Sequence, residues 1–117
     1  MTISNFENNK GVCQACIFNS APGFEKMEAL RCFTSGVQDK SAQIQFDELP
    51  DGTYSIFVFH DENKNSKMDK NFLGIPKEGY GASGNKLPFA TAPKFEENKF
   101  QLNKQSSISI AIRLRNI

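Results

Sequence analysis

The sequence predicts an all-β fold, a single antiparallel β-sandwich of about seven strands spanning residues 1–117, and three observations carry that expectation. Near the C-terminus Ile108, Ile110, Ile112 and Leu114 interleave with Ser107, Ser109, Ala111, Arg113 and Arg115, the period-two pattern of a strand with one wet face. From Thr53 to His60 both faces are apolar, with Tyr54, Ile56 and Val58 on one and Phe57 and Phe59 on the other. A strand covered on both sides belongs in the middle of its sheet. Turn residues interrupt the chain at short intervals, as sandwiches require.

Taken in order, strands are expected at Thr2 to Phe6 and Gly11 to Phe18, a single helical turn at Pro22 to Met27, and a strand around Ala29 to Thr34. Ala42, Ile44 and Phe46 alternate with Gln43, Gln45 and Asp47, giving another strand. Leu49-Pro50-Asp51-Gly52-Thr53-Tyr54 then reads as a hairpin into the central strand, because Pro presets φ and Gly accepts a positive φ. Residues 61–93 are rich in Gly, Asn, Lys and Pro and have no clean period. A loop of that length in a compact domain usually carries function. Phe95 to Leu102 is expected as a strand before the alternating C-terminal one.

Composition narrows the function classes. Charged residues are 23% of the chain and sum to +1, without the basic patch of a nucleic-acid binder. No apolar run approaches the roughly 20 residues of a membrane helix, so no membrane insertion is expected. Eleven Phe, with no Trp and two Tyr, suit a packed core of strands. Cys13 and Cys16 form a C-x-x-C, but on a strand positions three apart face opposite ways and cannot share a bond or a metal. Buried free thiols are the expectation, with a disulfide from Cys32 to Cys13 or Cys16 as the alternative.

The chemistry is concentrated in Asp61-Glu62-Asn63-Lys64-Asn65-Ser66-Lys67-Met68-Asp69. Side-chain oxygens at Asp61, Asn63, Asn65 and Asp69, with the backbone carbonyl of Lys67, follow the 1, 3, 5, 7, 9 spacing of an EF-hand-like Ca²⁺ loop. Ca²⁺ takes six to eight hard oxygens, and a tight loop converges alternate side chains on one point. Ser66 replaces the usual Gly, and Phe72 stands where a bidentate Glu would close the site, leaving Glu78 to substitute. With Lys64, Lys67 and Lys70 nearby, the affinity expected is weak, ~10⁻⁴–10⁻³ M. Mg²⁺ fits less well because it demands stricter octahedral geometry. The alternative is a metal-free Asx-rich turn. His60, the single histidine, lies on the face of Tyr54, Ile56 and Val58, where a hydrogen-bonded structural role is expected. Beyond the loop, Phe72 and Tyr80 flank a Gly-rich turn that packs on the sandwich end or, with Tyr80 exposed, offers a recognition surface.

Three stretches resemble the DUF2141 family of bacterial proteins. They are Leu49-Pro50-Asp51-Gly52-Thr53-Tyr54, His60-Asp61-Glu62-Asn63-Lys64-Asn65, and Phe72-Leu73-Gly74-Ile75-Pro76-Lys77-Glu78-Gly79-Tyr80-Gly81-Ala82-Ser83. The resemblance covers nearly the whole chain and brings no established activity. Members usually begin with a secretion signal, so it implies a periplasmic or secreted protein whose leader has been removed. The family loop commonly reads Asn-Gly where this chain has Asn65-Ser66, which lowers the affinity expected for a metal. The Leu-Pro-x-Gly-x-Tyr hairpin is also similar to those of transthyretin-like and Ig-like Cna-B-type sandwiches, a likeness of fold only.

The expected function is a non-enzymatic, Ca²⁺-stabilised binding or accessory module, monomeric or weakly oligomeric, for a protein or carbohydrate partner. Two alternatives stand beside it. One is a hydrolase using His60 with Asp61 or Glu78, and the other is a structural domain that assembles through an exposed sheet edge.

Overall fold

The structure, a computed structural model, describes residues 1–26, 28–46, 49–61, 79–85, 87, 93–103 and 110–115. The chain folds as an all-β sandwich of two sheets. One sheet has the order β4-β1-β8, formed by Ala42–Gln43, Thr2–Ser4 and Ala111–Arg113. The other has the order β3-β2-β5-β6, formed by Arg31–Gly36, Val12–Phe18, Gly52–Asp61 and Tyr80–Ala82; β7 (Phe100–Leu102) joins it on β5. Pairing is antiparallel throughout except between the N-terminal β1 and the C-terminal β8, which run parallel.

The alternation read from sequence sets which side chains meet. Tyr54, Ile56 and Val58 of β5 join Cys13, Ala15 and Ile17 of β2 against Ile3, Ala42, Ile44, Ile112 and Leu114 of the facing sheet. This is the sandwich core proper. On the opposite face of β5, Phe57 and Phe59 meet Phe18, Phe24, Tyr80 and Phe95 in a second, aromatic core. Two short helices supply its cover: α1 (Ala21–Lys26) brings Phe24, and α2 (Phe95–Asn98) brings Phe95. Ser20 starts α1 as an N-cap, its hydroxyl accepting from the Gly23 N–H at 3.1 Å. The central position expected for β5 is therefore occupied, with both faces buried.

The two sheets meet along one seam. Tyr80 exchanges two backbone hydrogen bonds with Arg115, just beyond β8. Beside it, Asn85 donates from its amide to the Ala111 carbonyl and accepts from the Arg113 N–H, acting as a neighbouring peptide would. Gly81 sits where this approach is tightest: an added Cβ would lie 2.7 Å from Ile112 Cγ2 and 3.3 Å from the Arg113 carbonyl oxygen. β6 and β7 share one edge of β5, and Ser83 bridges the gap between them. Its hydroxyl accepts from the Ile56 N–H at 3.0 Å and donates to the Asn98 carbonyl.

Several local expectations are corrected. Pro50-Asp51-Gly52 does not close a hairpin. β4 pairs with β1 in one sheet while β5 belongs to the other, so the chain changes sheet between them. The crossing is fixed by Tyr54, whose hydroxyl donates to the Pro50 carbonyl at 2.7 Å, a tyrosine-corner arrangement. Gly52 keeps a negative φ; among the described residues the glycine with positive φ is Gly11, at 67°. Phe95 to Leu102 splits into α2 and β7, because Phe95 turns onto the aromatic core rather than along a strand. The expected 61–93 loop contains β6. Cys16 is not a free thiol: it is disulfide-bonded to Cys32, its register partner across β2 and β3. Cys13 faces the sandwich core as a buried free thiol.

Candidate functional site

The candidate site lies at the end of β5, where Asp61 closes the strand. On the neighbouring strand Gly79 stands opposite His60, its carbonyl accepting from the His60 N–H at 2.7 Å. The described residues that flank 62–78 therefore stand side by side at one end of the sheet. Of the metal ligands expected from sequence, Asp61 is described; Asn63, Asn65, Lys67, Asp69 and Glu78 lie outside the described residues, as does Phe72.

Asp61 is 0% exposed. It follows Phe57 and Phe59 on the aromatic face, and a polar relay reaches it from the neighbouring strands. Thr34 of β3 donates its hydroxyl to Gln14 Oε1 at 2.8 Å, and Gln14 Nε2 points at Asp61 Oδ2 at 3.4 Å. A carboxylate oxygen accepts, so Gln14 turns its NH₂ to Asp61, which leaves its Oε1 to accept from the Thr34 hydroxyl. Gln14 was not among the residues singled out from sequence. Its signal was a lone amide within the otherwise apolar run Val12 to Phe18.

His60, one residue earlier, faces the other way. It is buried in the sandwich, edge-on to Phe6 with ring centroids 5.0 Å apart, and its Nε2 lies 2.6 Å from the Lys10 carbonyl. A carbonyl can only accept, so Nε2 carries the proton and donates. This matches the structural role expected of His60. Because successive residues of a strand point to opposite faces, His60 and Asp61 do not converge as an acid–base pair. Cys13 is the register partner of His60 and shares its face, but burial pushes the thiol up from 9.0 to about 12. A nucleophilic cysteine requires the reverse shift.

Of the two readings of Tyr80, packing onto the fold is the one found, and the alternative of an exposed recognition residue is corrected. Tyr80 is 2% exposed, paired with Phe59 in β6, and stacked on Phe57 with centroids 6.0 Å apart and planes at 22°. The β6 pairing turns its ring onto the helix-covered face. Among the described residues no group of three or more His, Cys, Asp or Glu side chains converges as a metal cluster. No helix of the described residues is long and apolar enough to cross a membrane.

Comparison with protein families decides the identity of the fold unit. A family described as uncharacterized proteins conserved in bacteria, DUF2141, matches residues 1–110. The chain belongs to the DUF2141 family. No curated protein and no solved structure matches the chain. Within this DUF2141 chain two of the three motifs that carried the resemblance occupy distinct places. Leu49 to Tyr54 forms the crossing between sheets, and His60-Asp61 ends the central strand.

Proposed function

We propose that this DUF2141 protein is an exported, non-enzymatic β-sandwich module, stabilised by Ca²⁺ at the loop that leaves β5 and displaying that loop to a protein or carbohydrate partner. The observation that carries the reading is the buried carboxylate of Asp61, the first residue of the Ca²⁺-type pattern. It is held on a central strand and oriented by Gln14, which is what a pre-organised first ligand needs. Asn63, Asn65, the Lys67 carbonyl, Asp69 and Glu78 would complete the oxygen set, and the ion would act as a clamp on the loop.

Two further observations favour this reading. The Cys16–Cys32 disulfide suits an oxidising compartment, in line with export. His60 donates to Lys10 inside the core and turns away from Asp61, which disfavours a hydrolase built on that pair.

Thermal unfolding in EDTA, then in a few millimolar CaCl₂ with MgCl₂ as control, tests the clamp. With Kd ~10⁻⁴–10⁻³ M, a few millimolar is roughly 3–30 times Kd, so the ion adds about 0.8–2 kcal/mol, a rise of several degrees for a domain of this size. An unchanged midpoint in CaCl₂ would reduce residues 61–69 to a turn without metal.

A further inference from the structure

The geometry points to a second role for the β3 edge: antiparallel pairing with β3 of a second copy of this chain, giving a two-fold dimer. β3 (Arg31–Gly36) is the outermost strand of its sheet and is held to β2 along its whole length. The Cα atoms of Cys16 and Cys32 are 4.1 Å apart, the close spacing of a non-hydrogen-bonded antiparallel pair. At such a pair the backbone N–H and C=O point away from the partner strand. By period two, those of Cys32 and Thr34 both face the open edge.

Edges are normally blunted by lysine, proline, a bulge or a covering element. β3 has neither lysine nor proline, and its register with β2 runs without interruption. Nearly every residue of it is exposed, and among the described residues the side chain that packs on it is Phe46, edge-on to Phe33 with ring centroids 5.0 Å apart, on one face and not along the outward backbone edge. The strand also carries Phe33, 37% exposed, and follows Leu30, 52% exposed; these are the exposed large apolar side chains among the described residues.

A second copy is the occupant the sequence of the strand fits. Centring an antiparallel pair on Phe33 sets Cys32 opposite Thr34 of the other copy, and each pair exchanges the outward backbone hydrogen bonds. Phe33 then meets its own copy at the close, non-hydrogen-bonded position on the axis, where aromatic pairs contribute most. Arg31 falls opposite Ser35, so the single charge of the strand faces no like charge. The same patch on both copies makes an isologous, closed contact. One strand edge with its flanking side chains is smaller than the ~1,200 Å² of standard interfaces, so the dimer is weak and concentration-dependent. This inference is independent of any metal at Asp61.

Light scattering on the full chain, in EDTA and from about 10 μM to about 1 mM, is the test, a range suited to an interface below standard size. The mass should rise from 13.1 kDa toward twice that value. Thr34→Pro removes an outward N–H and should hold the protein at monomer mass with its fold retained by circular dichroism. Phe33→Lys, placing two cations on the axis, should do the same should the proline variant fail to fold. Amide exchange of Cys32 and Thr34 should slow at the higher concentration. A mass fixed at 13.1 kDa throughout, a larger open assembly, or dimerisation undiminished in a folded variant would overturn the proposal.

Discussion

Ser83 shows how much structure one hydroxyl can hold. It takes the N–H of Ile56 at the junction where β6 gives way to β7, and passes its own proton to the Asn98 carbonyl. Ser83→Ala leaves a buried donor and an acceptor without that partner, and the expected loss is about 1–3 kcal/mol in urea unfolding, with an unchanged m-value. Tyr54→Phe removes the bond to the Pro50 carbonyl while keeping the ring in the core. A smaller loss of about 1 kcal/mol is expected there. Cys13 gives a pH signature. Its thiol pKa is raised by burial from 9.0 to about 12, so the folded state keeps a proton that the unfolded chain releases. That contribution is fully present below pH 9.0 and lost as pH rises toward about 12, by at most about 1.4 kcal/mol per unit. The difference between wild type and Cys13→Ala across that window isolates it; parallel pH profiles would contradict the burial.

At the scale of elements, the seam between the sheets depends on Gly81. A side chain there would press on Ile112 and the Arg113 carbonyl, and Gly81→Val is expected to cost at least about 1–3 kcal/mol through overpacking. The disulfide acts on the edge instead. It closes a loop with a sequence separation of 16, so Cys16→Ala with Cys32→Ala should lower stability by about 3 kcal/mol on chain-entropy grounds. A double variant as stable as the oxidised protein would show β3 to be held by its ladder alone. These elements also mark where sequence reading works. Period two placed β5 at the centre and sorted Tyr54, Ile56 and Val58 from Phe57 and Phe59, because alternation is fixed by backbone geometry. It missed β6, whose Tyr80-Gly81-Ala82 is too short to show a period and is set by tertiary contact. Pro50-Asp51-Gly52 marked the break before β5 but not which sheet that strand would join, since turn chemistry is local and sheet membership is not.

For the molecule as a whole, the sandwich places Asp61, a buried carboxyl group among the described residues, at one end of its central strand. Asp61 was legible in the sequence because it begins the 1, 3, 5, 9 spacing of Asp and Asn on which the proposed Ca²⁺ site rests. Its support by Gln14 and Thr34 was not legible, because contacts across strands depend on register rather than on sequence distance. The same holds for Cys16 and Cys32: alternation separated Cys13 from Cys16, but the partner of Cys32 was decided by the β2–β3 register.

The most direct test of the central claim is a Ca²⁺ titration followed by ¹H–¹⁵N NMR on EDTA-stripped protein, with Asp61→Asn and Asp69→Asn as controls. Ca²⁺ binding should give saturable shifts confined to residues 61–79 and the adjoining amides of β2, with Kd ~10⁻⁴–10⁻³ M, weakened or lost in both variants. Spectra that stay unchanged through several millimolar Ca²⁺, or shifts that persist undiminished in both variants, would contradict it.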